Sequence, residues 1–318
     1  MMAVLLAVLC QAAPVEPVAD VYAQLRARGV SVEPAAAARA SAEAVVRLAD
    51  PGARFFDEAG AAAFEACRGG DTTNAPALRD LGEGIVLLEA GCLGPPAAAL
   101  AVTGLASAAA AGGGFILDCR GAGGTNLAAV DALAAPFVRP DTFLYSVQNG
   151  LGEDLELHAA PEAEPAAAPV IMLVDRRTTG AAELLAAVLA RNRGVLLVGQ
   201  PTKGDPARRE LVPLAGGGAA FMATGRYVLP DDTTWAGTGV APHVRIAPAG
   251  KAPIDVRTNL LSRAGKPFDE SARRHIELFA AVRTDPGLAR AVDLLLGLKA
   301  LAILPEKTYA PVAAADPR

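Results

Sequence analysis

The feature that most constrains this chain is an alternation running from about residue 82 to 200. Short apolar runs, "GIVLLEA", "GFILDC", "TFLYSVQ", "APVIMLVD" and "GVLLVG", carry almost no internal polar residue. A strand with no polar face must be covered on both sides, and the covering segments lie between the runs. "PPAAALAVTGLASAAAA", "GTNLAAVDALAAPFV" and "TGAAELLAAVLARNR" read as helices. The pattern predicts an α/β fold with a mixed, largely parallel sheet flanked by helices. Residues 208–246 change character to a β-rich segment, "RRELVPL", "AAFMATGRYVLP" and "HVRI", with Gly, Pro and Asp at the turns. Before the core, "VADVYAQLRARG", "PAAAARASAEAVVRLAD" and "DEAGAAAFEAC" predict a small helical N-terminal unit. "RGGDTTNAP" reads as a linker, and "DESARRHIELFAAVR" and "DPGLARAVDLLLGLKALA" predict two closing helices.

Composition narrows the function classes. Hydrophobic residues are 52% of the 318, but many are alanine, so Val, Ile and Leu must fill the core. Aromatic residues are 4% and the net charge is −5, a poor basis for stacking bases or holding phosphates; no nucleic-acid partner is expected. The N-terminus, "MMAVLLAVLCQAAP", is too short to span a bilayer and fits the apolar region of a signal peptide cleaved after Ala12 or Ala13. It lacks a basic leader, and a short buried helix is the alternative. Cys10 could instead carry lipid, although Leu9 is large for that purpose. No other segment reads as transmembrane. Cys67 and Cys92 flank the start of the core and could pair in an oxidising compartment, while Cys119 reads as a small core residue. His158, His243 and His275 are far apart and no cysteines are closely spaced, so neither a metal nor another cofactor is expected.

In a parallel sheet, chemistry gathers on loops at the carboxyl ends of strands. Two such loops stand out. "LDCRGAGGTN" is glycine-rich and leads into a helix near Thr125, where exposed N–H groups could hold an anion or developing oxyanion; a tight turn with no ligand is the alternative. "LVDRRTTGAAELL" turns from a strand ending at Asp175 into a helix starting near Thr179 or Gly180, a place for a nucleophile facing the first loop.

These segments resemble, in order, the tail-specific (C-terminal processing) serine proteases of the tricorn and retinoid-binding-protein-like superfamily. "GFILDCRGAGGTNLAAVDALAAPFV" is similar to that family's strand–Asp–x–Arg–x–x–x–Gly–Gly–helix segment, with Gly124 and Thr125 at its glycine pair. "PVIMLVDRRTTGAAELLAAVLARNRGVLLVGQPTKGD" resembles its nucleophile segment, "MATGRYVLPDDTTWAGTGVAPHVRI" its following β-region and "DPGLARAVDLLLG" its closing helix. The resemblance runs from about Gly82 to Ala302. It implies a crotonase-like (ClpP-like) core, serine-type endopeptidase activity and peptide or protein C-terminal tails as partners. With the segments before it, this divides the chain into a signal peptide at 1–13, a helical unit at 18–76, a core at 82–304 and a C-terminal tail at 305–318. No peptide-binding PDZ module fits between Cys67 and Gly84.

Carried across residue by residue, the match fails at the chemistry. Glu183 fits the family's Glu, and the nucleophilic serine three residues earlier falls on Gly180. The lysine position of the tail-processing branch, in "TKGD", falls on Asp205, with Lys203 two places early. Gly123, Gly124 and Ala181 are the candidate oxyanion or peptide-binding positions. Thr179 is the fallback nucleophile, although Thr178 and Thr179 more ordinarily cap the helix; Ser146 is a further hydroxyl. The expectation is a degenerate protease homologue that binds polypeptide tails in the periplasm or cell envelope. An active serine- or threonine-based peptidase and a carrier of a small apolar ligand on the same fold are the alternatives. Oligomeric state is not legible.

Overall fold

A computed structural model of the chain describes residues 16–68, 75–191, 194–214, 217–247 and 285–301. The expected signal peptide, Cys10, His275, the helix expected at 269–283 and the tail at 305–318 lie outside the described residues. The chain divides into two compact units, one of residues 1–61 and 210–223, the other of 62–209 and 224–318.

The first unit holds helices α1 (Glu16–Ala27) and α2 (Pro34–Ala49) and strand β1 (Arg54–Phe56). Both helices leave large apolar side chains in solvent, Val21 on α1 and Val45 and Leu48 on α2. β1 pairs antiparallel with residues 219–221. The Asp50 carboxylate fastens this pairing, accepting the N–H of Ala223 at 2.9 Å and of Gly52 at 2.9 Å. The Arg54 guanidinium lies 5.8 Å from the centre of the Phe56 ring and 5.6 Å from that of Phe221. Helix α3 (Glu58–Arg68) follows.

The second unit is built on a six-stranded sheet. Its strands are β2 (Ala77–Asp80), β3 (Val86–Glu89), β4 (Phe115–Asp118), β7 (Val170–Val174), β8 (Val195–Gly199) and β11 (Val244–Arg245), in the order β11-β8-β7-β4-β3-β2. All neighbours are parallel except β2 and β3. Successive side chains point to opposite faces, and each face has its own core. Leu88, Phe115, Leu117, Met172 and Val174 pack toward helices α4 (Pro95–Ala110), α5 (Leu127–Ala134) and α6 (Gly180–Ala190). Leu87, Ile116, Ile171 and Leu173 pack with Leu288, Ala291, Val292 and Leu295 of helix α7 (Pro286–Ala300). Each fully buried Leu or Ile on this sheet contributes about 2 kcal/mol. The alanines act through closeness: Ala97, Ala101, Gly104 and Ala108 form the buried stripe of α4, and small residues there let helix and sheet approach. Residues 181–189 of α6 are all buried, as expected of a helix that is apolar all round.

A second, antiparallel sheet joins β5 (Phe143–Gln148) and β6 (Asp154–Ala159), with residues 226–228 of β10 (Ala219–Val228) against β5. "TFLYSVQ" therefore does not extend the parallel sheet, as the alternation suggested; it is β5 of this antiparallel sheet. β6 was not read from sequence, although "DLELHA" alternates polar and apolar residues as a half-buried strand does. Strand β9 (Ala207–Pro213) forms a hairpin with β10. The Cys67–Cys92 pairing allowed from sequence rests on the Cys67 side chain, which lies outside what the structure describes. Cys119 is buried as expected; burial, with the Asp118 charge, pushes its thiol pKa far up and leaves it inert. Among the described residues, no helix is long and apolar enough to cross a membrane.

Candidate functional site

Three loops meet at the carboxyl ends of β4, β7 and β8. The first begins with Asp118 and Arg120. The Asp118 carboxylate accepts the Arg120 N–H at 3.0 Å and its Nε–H at 2.9 Å. The same guanidinium reaches Asp285 at 2.8 and 2.6 Å, and Asp285 caps α7 by accepting from Gly287 and Leu288, each at 3.0 Å. Burial would raise the Asp285 pKa, but Arg120 and the cap N–H groups outweigh it and hold the carboxyl below the usual range. The Asp–x–Arg pair thus ties the loop to the closing helix.

The second loop is organised by Asp175. Its Oδ1 accepts N–H groups from Gly121 at 2.9 Å, Arg177 at 3.0 Å and Thr178 at 3.1 Å. Burial opposes ionisation there, yet these donors and the Arg177 charge hold the pKa down. The buried Thr178 hydroxyl donates to the Cys119 carbonyl at 2.8 Å and accepts the Asp175 N–H at 3.0 Å, so it rivets the two loops together. Thr179 sits at the N-cap of α6 without a side-chain capping bond, contrary to the role expected of it. Its N–H donates to the Ala122 carbonyl at 3.0 Å. A Cβ on Gly123 would lie 3.5 Å from its methyl carbon.

The third loop carries "TKGD". Glu183, fully buried one turn into α6, accepts from the Thr202 hydroxyl, from the Gly204 N–H at 2.6 Å and from the Asp205 N–H at 3.1 Å. Thr202 Oγ1 in turn accepts the Val240 N–H at 2.8 Å, and the Lys203 N–H donates to the Thr178 carbonyl at 3.1 Å. Glu183 is thus a brace that holds a backbone loop. Asp205, at the lysine position, pairs with Arg209 at 2.8 Å and with Lys203 Nζ at 3.0 Å. Partial burial alone would raise its pKa, but both cations outweigh it and keep Asp205 anionic.

Gly180 and Gly124 meet directly. Gly180 opens α6 at φ +57°, a left-handed conformation that side chains rarely adopt. A Cβ there would lie within hard contact of the Gly124 carbonyl oxygen. That oxygen also accepts the Ala181 N–H at 2.9 Å. The Gly124 carbonyl therefore fills the space that a side chain at residue 180 would take and engages the Ala181 N–H. The remaining candidates are dispersed. Ser146 is buried on β5. His243 accepts the Leu197 N–H on Nδ1 at 2.9 Å. His158 lies 2.8 Å from Asp131 and 3.2 Å from Glu156, under the stacked Tyr145 ring. No sequence signal pointed to this last cluster, since Asp131 and His158 are 27 positions apart and β6 was unread.

Residues 101–246 match the pattern of Peptidase family S41. The chain is 28% identical over 137 residues to the carboxyl-terminal-processing peptidase 1, chloroplastic, of Arabidopsis thaliana, covering 42% of this chain and 28% of that protein. It is also 28% identical over 153 residues to a carboxyl-terminal-processing protease of Picosynechococcus, 47% of this chain and 36% of that one. The chain thus spans about a third of the length of these curated relatives. Among solved structures, a lipoprotein from Streptococcus agalactiae aligns over 72% of this chain and 83% of its own, at a TM-score of 0.51 and 15% identity. That likeness concerns the fold, which is the mixed α/β architecture the S41 resemblance implied.

Proposed function

We propose that this chain is a noncatalytic homologue of the tail-specific proteases that binds the C-terminal segments of polypeptides in the cell envelope. The observation that carries this reading is the Gly124 carbonyl lodged against Gly180 and bonded to the Ala181 N–H. Acyl transfer needs an attacking group and free donors aimed at the developing oxyanion. Here glycine supplies no attacking group, and the Ala181 donor is engaged within the protein. Thr179 has a hydroxyl at the neighbouring position, but among the described residues no histidine is directed toward it as a base. Asp205, its pKa held down by Arg209 and Lys203, is too weak a base to take over a lysine's part as proton acceptor.

The loops keep features suited to a carboxylate. Arg176 and Arg177 are exposed on the second loop, and the Gly124 N–H has no acceptor among the described residues. The start of α6 adds its dipole. The names of the curated relatives, all C-terminal-processing enzymes, agree with a polypeptide tail as the ligand.

The test is fluorescence anisotropy with one labelled apolar peptide, made with a free and with an amidated C-terminus. The free carboxylate is expected to bind about tenfold more tightly, the worth of one charge-assisted hydrogen bond. Arg176→Ala should narrow the difference. Equal affinity for the two forms would overturn the reading.

A further inference from the structure

Strand β6 is the terminal strand of the antiparallel sheet among the described residues, following β5 in the order β10-β5-β6. Its alternation sorts two surfaces. Asp154, Glu156 and His158 lie on one face. Leu155 and Leu157 lie on the other, 49% and 69% exposed. Phe143 pairs with Ala159 and so joins the leucine face, itself 41% exposed. Leu151, in the β5–β6 turn, is 85% exposed. An edge strand ordinarily shields itself with lysine, proline or charges turned inward. β6 has no lysine or proline; its shielding is limited to the charges on the Asp154–Glu156 face and the ladder irregularities near Phe143 and Gln148.

The charge of the surroundings is one-sided. From Gly150 to Val174 the chain has five acidic residues, Glu153, Asp154, Glu156, Glu162 and Glu164, and no lysine or arginine. Glu156 is met by Arg208 at 2.8 Å, whereas Glu162 and Glu164 are exposed on the segment after the strand. A second copy of this edge would set like charges against like, which opposes self-pairing. An anionic membrane surface is excluded on the same ground.

We infer that the β6 edge docks an extended segment of another polypeptide in which apolar and basic residues alternate. The segment adds a strand by main-chain hydrogen bonds; its apolar side covers Leu155, Leu157 and Phe143, and its basic side faces the acidic flank. This surface stands apart from the Gly124–Gly180 loops, and the inference holds whether or not those loops bind a carboxylate.

The experiment uses the full chain and a short fluorescent peptide alternating valine and lysine, amidated at its C-terminus so that no tail carboxylate contributes. Saturable binding is expected, weakened at least about tenfold by a valine–glutamate peptide and by the Leu155→Asp/Leu157→Asp variant. With wild-type protein alone, N-methylation of alternate peptide nitrogens should abolish binding, which tests strand addition without any variant. Binding unchanged by N-methylation, or absent at millimolar peptide, would overturn the inference. So would a concentration-dependent dimer in sedimentation that the double variant dissolves, because it would assign the edge to a second copy.

Discussion

Replacing Gly180 by alanine adds one methyl group at the most crowded backbone position of the site. Two separable costs follow. A side chain held at φ +57° costs about 1–2 kcal/mol. The new Cβ also lands on the Gly124 carbonyl oxygen, a backbone atom that can yield only if its loop moves. Moving it weakens the Ala181 N–H bond, worth about 1 kcal/mol, and overpacks a tight, half-buried joint at about 1–3 kcal/mol. The sum is roughly 3–6 kcal/mol of lost stability. The sign is diagnostic, because glycine to alanine at an unstrained helix position stabilises by about 0.4–1 kcal/mol. Paired guanidinium titrations of wild type and Gly180→Ala, read by circular dichroism, measure it. A midpoint that stays level or rises would refute the claim that the carbonyl closes this site. A Gly180→Ser exchange meets the same carbonyl, so a nucleophile cannot be restored there without displacing the glycine-rich loop.

Glu183→Ala orphans the Thr202, Gly204 and Asp205 donors around a buried carboxylate and should cost about 3–5 kcal/mol. Asp205→Asn, at a partly exposed ion pair, should cost about 1 kcal/mol or less in the same titration. Arg120→Ala leaves Asp118 and Asp285 facing each other without their cation. It should destabilise by about 2–3 kcal/mol and speed amide exchange across residues 286–300 beyond any change in β7. His158 has its pKa raised by its bond to Asp131, with Glu156 adding and burial opposing. Its stabilisation is full below the ordinary histidine value of about 6.5 and is lost as pH rises through the elevated value. The melting-temperature gap between wild type and His158→Gln should therefore shrink from acid toward alkaline pH.

Much of the core was legible because the physics is periodic. A continuous apolar run such as "VIMLV" can only be a strand covered on both faces, and all five residues of β7 are buried. Gly180, Gly124 and Asp205 were likewise readable as positions, since order along the chain fixes which loop each occupies. What the chain order did not carry is who bonds to whom. Nothing in "RRTTGAAE" announces that Thr178 rivets two loops while Thr179 leaves its hydroxyl out of the cap, because both are hydroxyls before a helix. Glu183 read as part of a catalytic pattern, but only three-dimensional placement reveals three donors converging on it. The collapse of the Gly124 carbonyl onto Gly180 depends on backbone angles, which glycine leaves open in sequence. β5 was misplaced for a related reason: a buried antiparallel strand is as apolar as a parallel one, and its partner β6 is half polar.

The account turns on whether acyl transfer has been lost, and one measurement addresses that most directly. Purified protein is incubated with an unstructured polypeptide and, separately, with a serine- and threonine-reactive phosphonate, and both are followed by intact-mass spectrometry. The account predicts no new polypeptide fragments and no phosphonate adduct on the folded chain. Cleavage together with an adduct, both abolished by Thr179→Ala in a variant that remains folded, would contradict it.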